Sequence, residues 1–203
     1  MKGPLQGLRV ADFSQLVQGP SATQLLGDLG ADIVKIEPRA GEWSRSWSIG
    51  DTFVQKESLS FLAFNRAKRS ITLDLKAAEG KEIALRIIKS SDVLIENFRP
   101  GVMDRLGLGY ETLSAIQPGL IYCASCGWGQ DGPYQERPGQ DLLAQSIAGV
   151  LMLKGTASDP PVPVGIGLAD LTAGLHITIA VLSALFERAR SGKGQRVDIN
   201  LLN

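Results

Sequence analysis

Short, nearly unbroken apolar runs alternate along this chain with longer segments whose apolar positions recur at helical spacing, a pattern that predicts repeated strand-helix-strand units. Residues 8–13 read as a buried strand. Residues 20–29 read as a helix with Pro20 in its first turn, where a missing N–H costs nothing, and residues 33–37 as a second strand. A polar, tryptophan-bearing loop covers 42–56. Residues 70–74 then read as a strand, 78–90 as an amphipathic helix and 93–96 as the next strand. Short helices near Val102 and Glu111 lead to a strand at 120–125, helices at 141–151 and 170–190, and a last strand at 195–201. Residues 158–167, with prolines at 160, 161 and 163, read as an irregular connection. Strands separated by helices imply an α/β fold, an open, mostly parallel sheet with flanking helices.

One position breaks the pattern. Asp170 opens a helix that is otherwise Leu, Ala, Ile and Val with few polar interruptions, a helix that should pack into a core. An isolated carboxylate is costly there, but at a helix N-terminus the unpaired N–H groups and the positive end of the dipole lower the cost. Asp170 is therefore expected to be ionised at neutral pH. Two roles fit that carboxylate, a helix cap and a nucleophile.

Composition adds boundaries. The 203 residues are 44% hydrophobic, enough to bury a real core, and Lys plus Arg equals Asp plus Glu at 21 each. With no overall basic footprint, no nucleic-acid partner is expected, and any anion site must be local. The first residues lack the apolar stretch of a signal peptide, and the charged residues around the 170–190 helix read it as a core helix; no membrane partner and a cytoplasmic location are expected. No metal site is read.

Two local motifs have plainer structural explanations. Cys123 and Cys126 have the gap of a redox pair but lie along a strand, not at a helix N-terminus, and read as ordinary buried thiols. Gly127, Gly129 and Gly132 match a dinucleotide fingerprint and follow a strand, yet Pro133 and Tyr134 come next instead of a helix and the strand is late in the sheet.

Longer strings carry more. Leu16-Val17-Gln18-Gly19-Pro20, the run 29–37 ending Lys35-Ile36-Glu37, the run 65–76, Ile95-Glu96-Asn97-Phe98-Arg99-Pro100-Gly101, the glycine-rich run 127–134, Pro138-Gly139-Gln140-Asp141 and the run 191–198 occur in this order. Together they closely resemble the class III CoA-transferase family over essentially the whole chain. The resemblance implies a Rossmann-like CoA-binding and catalytic domain over 1–203. It implies coenzyme A or acyl-CoA as substrate, a carboxylic acid as second substrate, and no tightly bound cofactor. Asp170 matches the family's nucleophile and Asp141 an acidic position of its active site, although Asp141 also reads as the cap of its own helix. Val17, Gln18, Arg39, Leu73, Lys76, Asn97, Phe98 and Arg105 match positions lining the CoA site. Taken from the sequence alone, each of the basic residues reads as well as a solvated surface charge; as a set they follow successive strands, where open α/β sheets bind ligands.

Gln140 stands where the family's racemase branch has histidine, and an amide exchanges no proton near neutrality, so transfer is favoured over racemisation. His176, the only histidine, reads as a core residue or a supporting one behind the site. Family members are considerably longer, so the resemblance implies an N-terminal half without the small domain and the return to the first domain: a fragment, a truncated product or half of a split enzyme. Either a homodimer or association with that other half is expected, together with a large exposed apolar patch on the chain alone. A CoA-binding but inactive module is the alternative to a transferase.

Overall fold

The computed structural model describes residues 3–202 except Lys154 and Ala157. Its first unit is β1 (Arg9–Asp12), α1 (Gln18–Asp28) and β2 (Asp32–Glu37). The chain then leaves the sheet for two 3-10 turns, Trp43–Arg45 and Ile49–Asp51, a small hairpin of β3 (Phe53–Val54) and β4 (Glu57–Ser58), and α2 (Leu59–Asn65). It returns through β5 (Lys68–Thr72), α3 (Ala78–Lys89), β6 (Val93–Glu96), α4 (Val102–Arg105) and α5 (Tyr110–Ile116). β7 (Ile121–Cys126), α6 (Asp141–Ile147), α7 (Leu168–Ser191) and β8 (Gln195–Asn200) complete it.

Six strands form one sheet in the order β5-β2-β1-β6-β7-β8, with every neighbouring pair parallel. Side-chain alternation explains why helices cover both faces. Val10, Val93, Ile95, Ile121 and Cys123 pack under Ala22 and Leu26 of α1 and Ile177, Val181 and Ala184 of α7. Ala11, Leu94, Tyr122 and Ala124 point the other way, against Ala84 and Ile88 of α3 and Leu113 of α5. A parallel strand buried on both faces has no solvent side to mark with polar residues, and so reads as a continuous apolar run.

α1 and α7 meet closely at Gly174. A Cβ there would stand 2.1 Å from the Ser21 Oγ and 3.0 Å from the Gln18 carbonyl oxygen, so a side chain would push the helices apart. This crossing sets Asp170, one turn earlier, beside the start of α1.

Several expectations need correction. β5 begins two residues earlier than read, because Lys68 and Arg69 hide a strand start behind charge. α1 starts at Gln18 instead of Pro20, and α7 at Leu168 instead of Asp170. The helix read over 141–151 breaks at Gly149, whose φ of 75° is left-handed, and resumes as a 3-10 turn at Val150–Met152. The stretch 42–56 read as a loop holds two 3-10 turns and β3, whose hairpin partner β4 and the following α2 lie in 57–65, where no element is read. α7 is a core helix on one face only: Leu175, Ile179 and Phe186 are 52%, 60% and 67% exposed. α7 is also long and apolar enough to cross a membrane, by length and composition only, but its other face is packed on α1 and the sheet.

Candidate active site

The strand order reverses between β1 and β6, and loops leaving that point at the carboxyl edge must diverge, opening a crevice. A cleft of about 800 Å³ lies there. Gln15, Leu16, Val17 and Gln18 after β1 form one wall, Asn97, Phe98 and Arg99 after β6 another, and Cys126 and Gly127 after β7 a third. Gly139, Gln140, Asp141, Gly167 and Asp170 close the far side, and Trp43 and Trp47 stand at the rim. Gly127 and Gly139 make this closure possible: a Cβ on either would lie 2.3 Å from the other's Cα.

Asp170 sits in the first turn of α7, partly exposed to the cleft. Among the described residues no group donates a hydrogen bond to its carboxylate. Burial, and then the charge of Asp141, push its pKa up to about 7. This corrects the expectation of a fully ionised acid: a dipole contribution of about 0.3–1 kcal/mol does not offset desolvation beside a second carboxylate. Asp141 is also corrected as a cap. α6 has no side-chain cap of its own. Instead the Asp141 Oδ1 accepts the Asp170 backbone N–H at 3.0 Å, and its Oδ2 accepts from the Gln145 Nε2 at 2.5 Å. Asp141 therefore caps α7 from a neighbouring helix and fixes the backbone that carries Asp170.

The walls near β1 and β2 rest on buried charge. Asp12 is fully buried, accepts from Ser14 and from the Thr23 hydroxyl at 2.7 Å, and pairs with the Lys68 Nζ at 3.1 Å. Burial alone would raise its pKa, but Lys68 and Lys35 outweigh it and hold the carboxyl below its ordinary value. Glu37 takes two hydrogen bonds from Arg45, at 2.6 and 2.7 Å, and its pKa falls to about 2, because these and the Ser70 hydroxyl overcome its burial. None of this network was named as functional from sequence. Charges spaced for a surface gave no sign that Lys35, Lys68, Glu37 and Glu42 turn inward; a lysine at the centre of an apolar strand, Ile33 to Ile36, was the one available signal.

Of the sequence-derived residues, the fold brings Val17, Gln18, Asn97, Phe98, Asp141 and Asp170 to one cleft. Arg39, Leu73, Lys76 and Arg105 are not among its lining residues. Arg39 follows β2, Leu73 and Lys76 follow β5, and Arg105 ends α4; the three cations are exposed and Leu73 is buried. Asn97 spends its amide on protein: it accepts from the Gln15 N–H at 2.7 Å and donates to the Gln15 carbonyl at 2.9 Å. His176 is corrected from a core or supporting residue to an exposed one, in a separate groove beside α6 and β8. Cys123 and Cys126 are free and buried, with burial raising both pKa values. The chain after Gly127 forms no helix until α6, as the failed dinucleotide context required. Trp43 and Trp47, their ring centroids 5.5 Å apart, are among the site residues that sequence reasoning missed, with Gln15, Leu16 and Arg99, although two tryptophans four apart in a polar loop marked the place. Among the described residues no group of three or more His, Cys, Asp or Glu could hold a metal ion.

Comparison with known proteins places this geometry. A family description, CoA-transferase family III, matches residues 5–203. The chain is 41% identical over 98% of its length to the succinyl-CoA:glutarate CoA-transferase of Mus musculus, covering 45% of that protein. It is 43% identical over its whole length to the acetyl-CoA:oxalate CoA-transferase of Acetobacter aceti, covering 52%. A CAIB/BAIF family protein from Brucella suis superimposes with a TM-score of 0.95 at 43% identity, over all of this chain and 54% of that one. The chain spans about half the length of the curated relatives it matches.

Proposed function

Because the chain belongs to CoA-transferase family III, we propose that it moves coenzyme A from an acyl-CoA donor to a carboxylic acid acceptor, with Asp170 as covalent nucleophile. The observation that carries this reading is an aspartate without an ion-pair partner among the described residues, its pKa raised to about 7, in the cleft at the point where the strand order reverses. Once ionised, so basic a carboxylate is a better nucleophile than an ordinary one. It attacks the thioester carbonyl, giving a mixed anhydride and free CoA thiolate. The thiolate attacks the Asp170 carbonyl carbon, releasing the donor acid and leaving an aspartyl-CoA thioester. The acceptor carboxylate reverses both steps and departs as its own CoA thioester. Asp141 positions the Asp170 backbone, and Val17, Gln18, Asn97 and Phe98 line the slot for the pantetheine arm. Arg39, Lys76 and Arg105, with Leu73 beside them, follow strands β2, β5 and β6 at the same carboxyl edge, which suits the nucleotide end with its phosphates. The named relatives use short dicarboxylic acids, the first acceptors to try.

Racemisation is disfavoured by Gln140 in the cleft and His176 outside it. A CoA-binding module that turns over only with a partner is the second reading, supported by the open cleft and the uncovered apolar face of α7. A second copy or further chain would cover that face. The test is an acyl-CoA transfer assay with Asp170→Asn alongside calorimetry of CoA binding. Transfer should vanish while binding persists, and wild-type turnover in the variant would end the assignment. Replacing Arg39 and Lys76 together with Ala should weaken CoA binding by about 1–3 kcal/mol.

A further inference from the structure

Leu16, in the cleft wall, has a φ of 67°, a left-handed conformation that a leucine adopts only when its surroundings enforce it. The enforcement is visible atom by atom. The Ser14 N–H donates to Asp12, and the Ser14 carbonyl accepts from the Lys35 Nζ at 2.7 Å. Asn97 holds both the N–H and the carbonyl of Gln15. The Leu16 N–H donates to the Glu42 Oε1 at 2.6 Å. Lys35 and Glu42 then close on each other, Nζ to Oε2 at 2.6 Å, with side chains 2% and 1% exposed. Glu42 also accepts from the Ser44 hydroxyl at 2.5 Å and directly precedes Trp43, so one carboxylate ties the strained wall to the tryptophan rim.

From this we infer that Lys35 and Glu42 are positioning residues for the cleft: the buried pair holds residues 14–16 and the Trp43–Trp47 rim in the shape that receives the CoA thioester. A pair kept only for stability could be exchanged for apolar groups of similar volume without effect on the cleft, because a buried ion pair often gives little net stability. The pair here touches two backbone atoms of the strained turn, which such an exchange would release. The inference rests on the CoA reading above.

The wild-type chain gives the first test. Its Leu16 amide should exchange with solvent at least about a thousandfold more slowly than an unstructured amide, although it lies in a loop at a cleft. Rapid exchange would overturn the inference. The second test uses Lys35→Met/Glu42→Met, which replaces both charged side chains by apolar ones of similar size that can neither donate to the Ser14 carbonyl nor accept from the Leu16 N–H, and Glu42→Asp, which keeps the charge but shortens its reach to Leu16. A folded variant of either kind should lose Leu16 protection and bind CoA at least about tenfold more weakly. The KM for acyl-CoA should rise more than kcat falls, and a folded variant with wild-type protection and CoA affinity would overturn the positioning role. A wild-type chain that binds no CoA would overturn the coenzyme reading instead, and Leu16 protection alone would then decide whether the pair holds the loop.

Discussion

Asp12 and Asp170 stand near the same edge of the sheet in opposite surroundings. Asp12 is the more deeply buried, yet it stays ionised because Lys68 pairs with it, Lys35 lies near and two hydroxyls donate to it. Asp170 is partly exposed to the cleft, yet it holds its proton up to about pH 7, because burial and then the charge of Asp141 raise its pKa and no described residue donates to its carboxylate. Burial depth alone therefore does not set the protonation of these two aspartates; the company each keeps does. The β1–β2 side of the cleft is dense with ion pairs and hydrogen bonds, and the α6–α7 side carries Asp170 and the exposed apolar surface.

The largest effect should come from breaking the satisfied side. Lys68→Met leaves the Asp12 charge buried without its direct partner and should cost about 3–5 kcal/mol, lowering Tm by roughly 10 °C in a domain of this size. A melt within about 2 °C of wild type would mean that Asp12 does not depend on Lys68, and the comparison would fail. Next comes the joint between the two sides. Gly174→Ala puts a methyl against Ser21 and the Gln18 carbonyl, and should cost about 1–3 kcal/mol in denaturant unfolding while shifting Asp170 relative to the cleft.

The apolar strands were legible because burial on both faces leaves no polar position to confuse the reading, and the long α7 was legible because few polar residues interrupt it. The strand starting at Lys68 was not, since a lysine aimed at a buried aspartate looks in sequence like a lysine aimed at water. Caps followed the same rule: the Asp141 carboxylate serves a helix that begins far along the chain from it, a partnership no local spacing encodes. Asp170 itself was legible as an anomaly, but its protonation was not, since its burial and the Asp141 charge that raise its pKa both come from the way separate helices pack. The string around Leu16 is legible as a motif, yet its left-handed backbone is not, because leucine gives no hint of positive φ.

A smaller effect sharpens the contrast through pH. The folded pKa of Asp170, about 7, lies above its ordinary value of 3.8, so between those pH values the native chain keeps a proton that the unfolded chain has lost. Stability from this group therefore falls as pH rises from about 4 to 7. Asp170→Asn removes that slope. It should be more stable than wild type by about 1 kcal/mol at pH 8, once solvent screening of a partly exposed site is allowed for, and nearly equal to it at pH 4. Equal stability of the two proteins at both pH values would show that Asp170 is not strained by its setting.

The central claim is that Asp170 is the group that forms a covalent bond to substrate. Chain incubated with an acyl-CoA, freed of excess thioester and treated with hydroxylamine should yield, on peptide mass spectrometry, a hydroxamate at Asp170 and at no other acid. An unmodified Asp170 in protein that turns over the same acyl-CoA, or a hydroxamate at Asp141 instead, would contradict it.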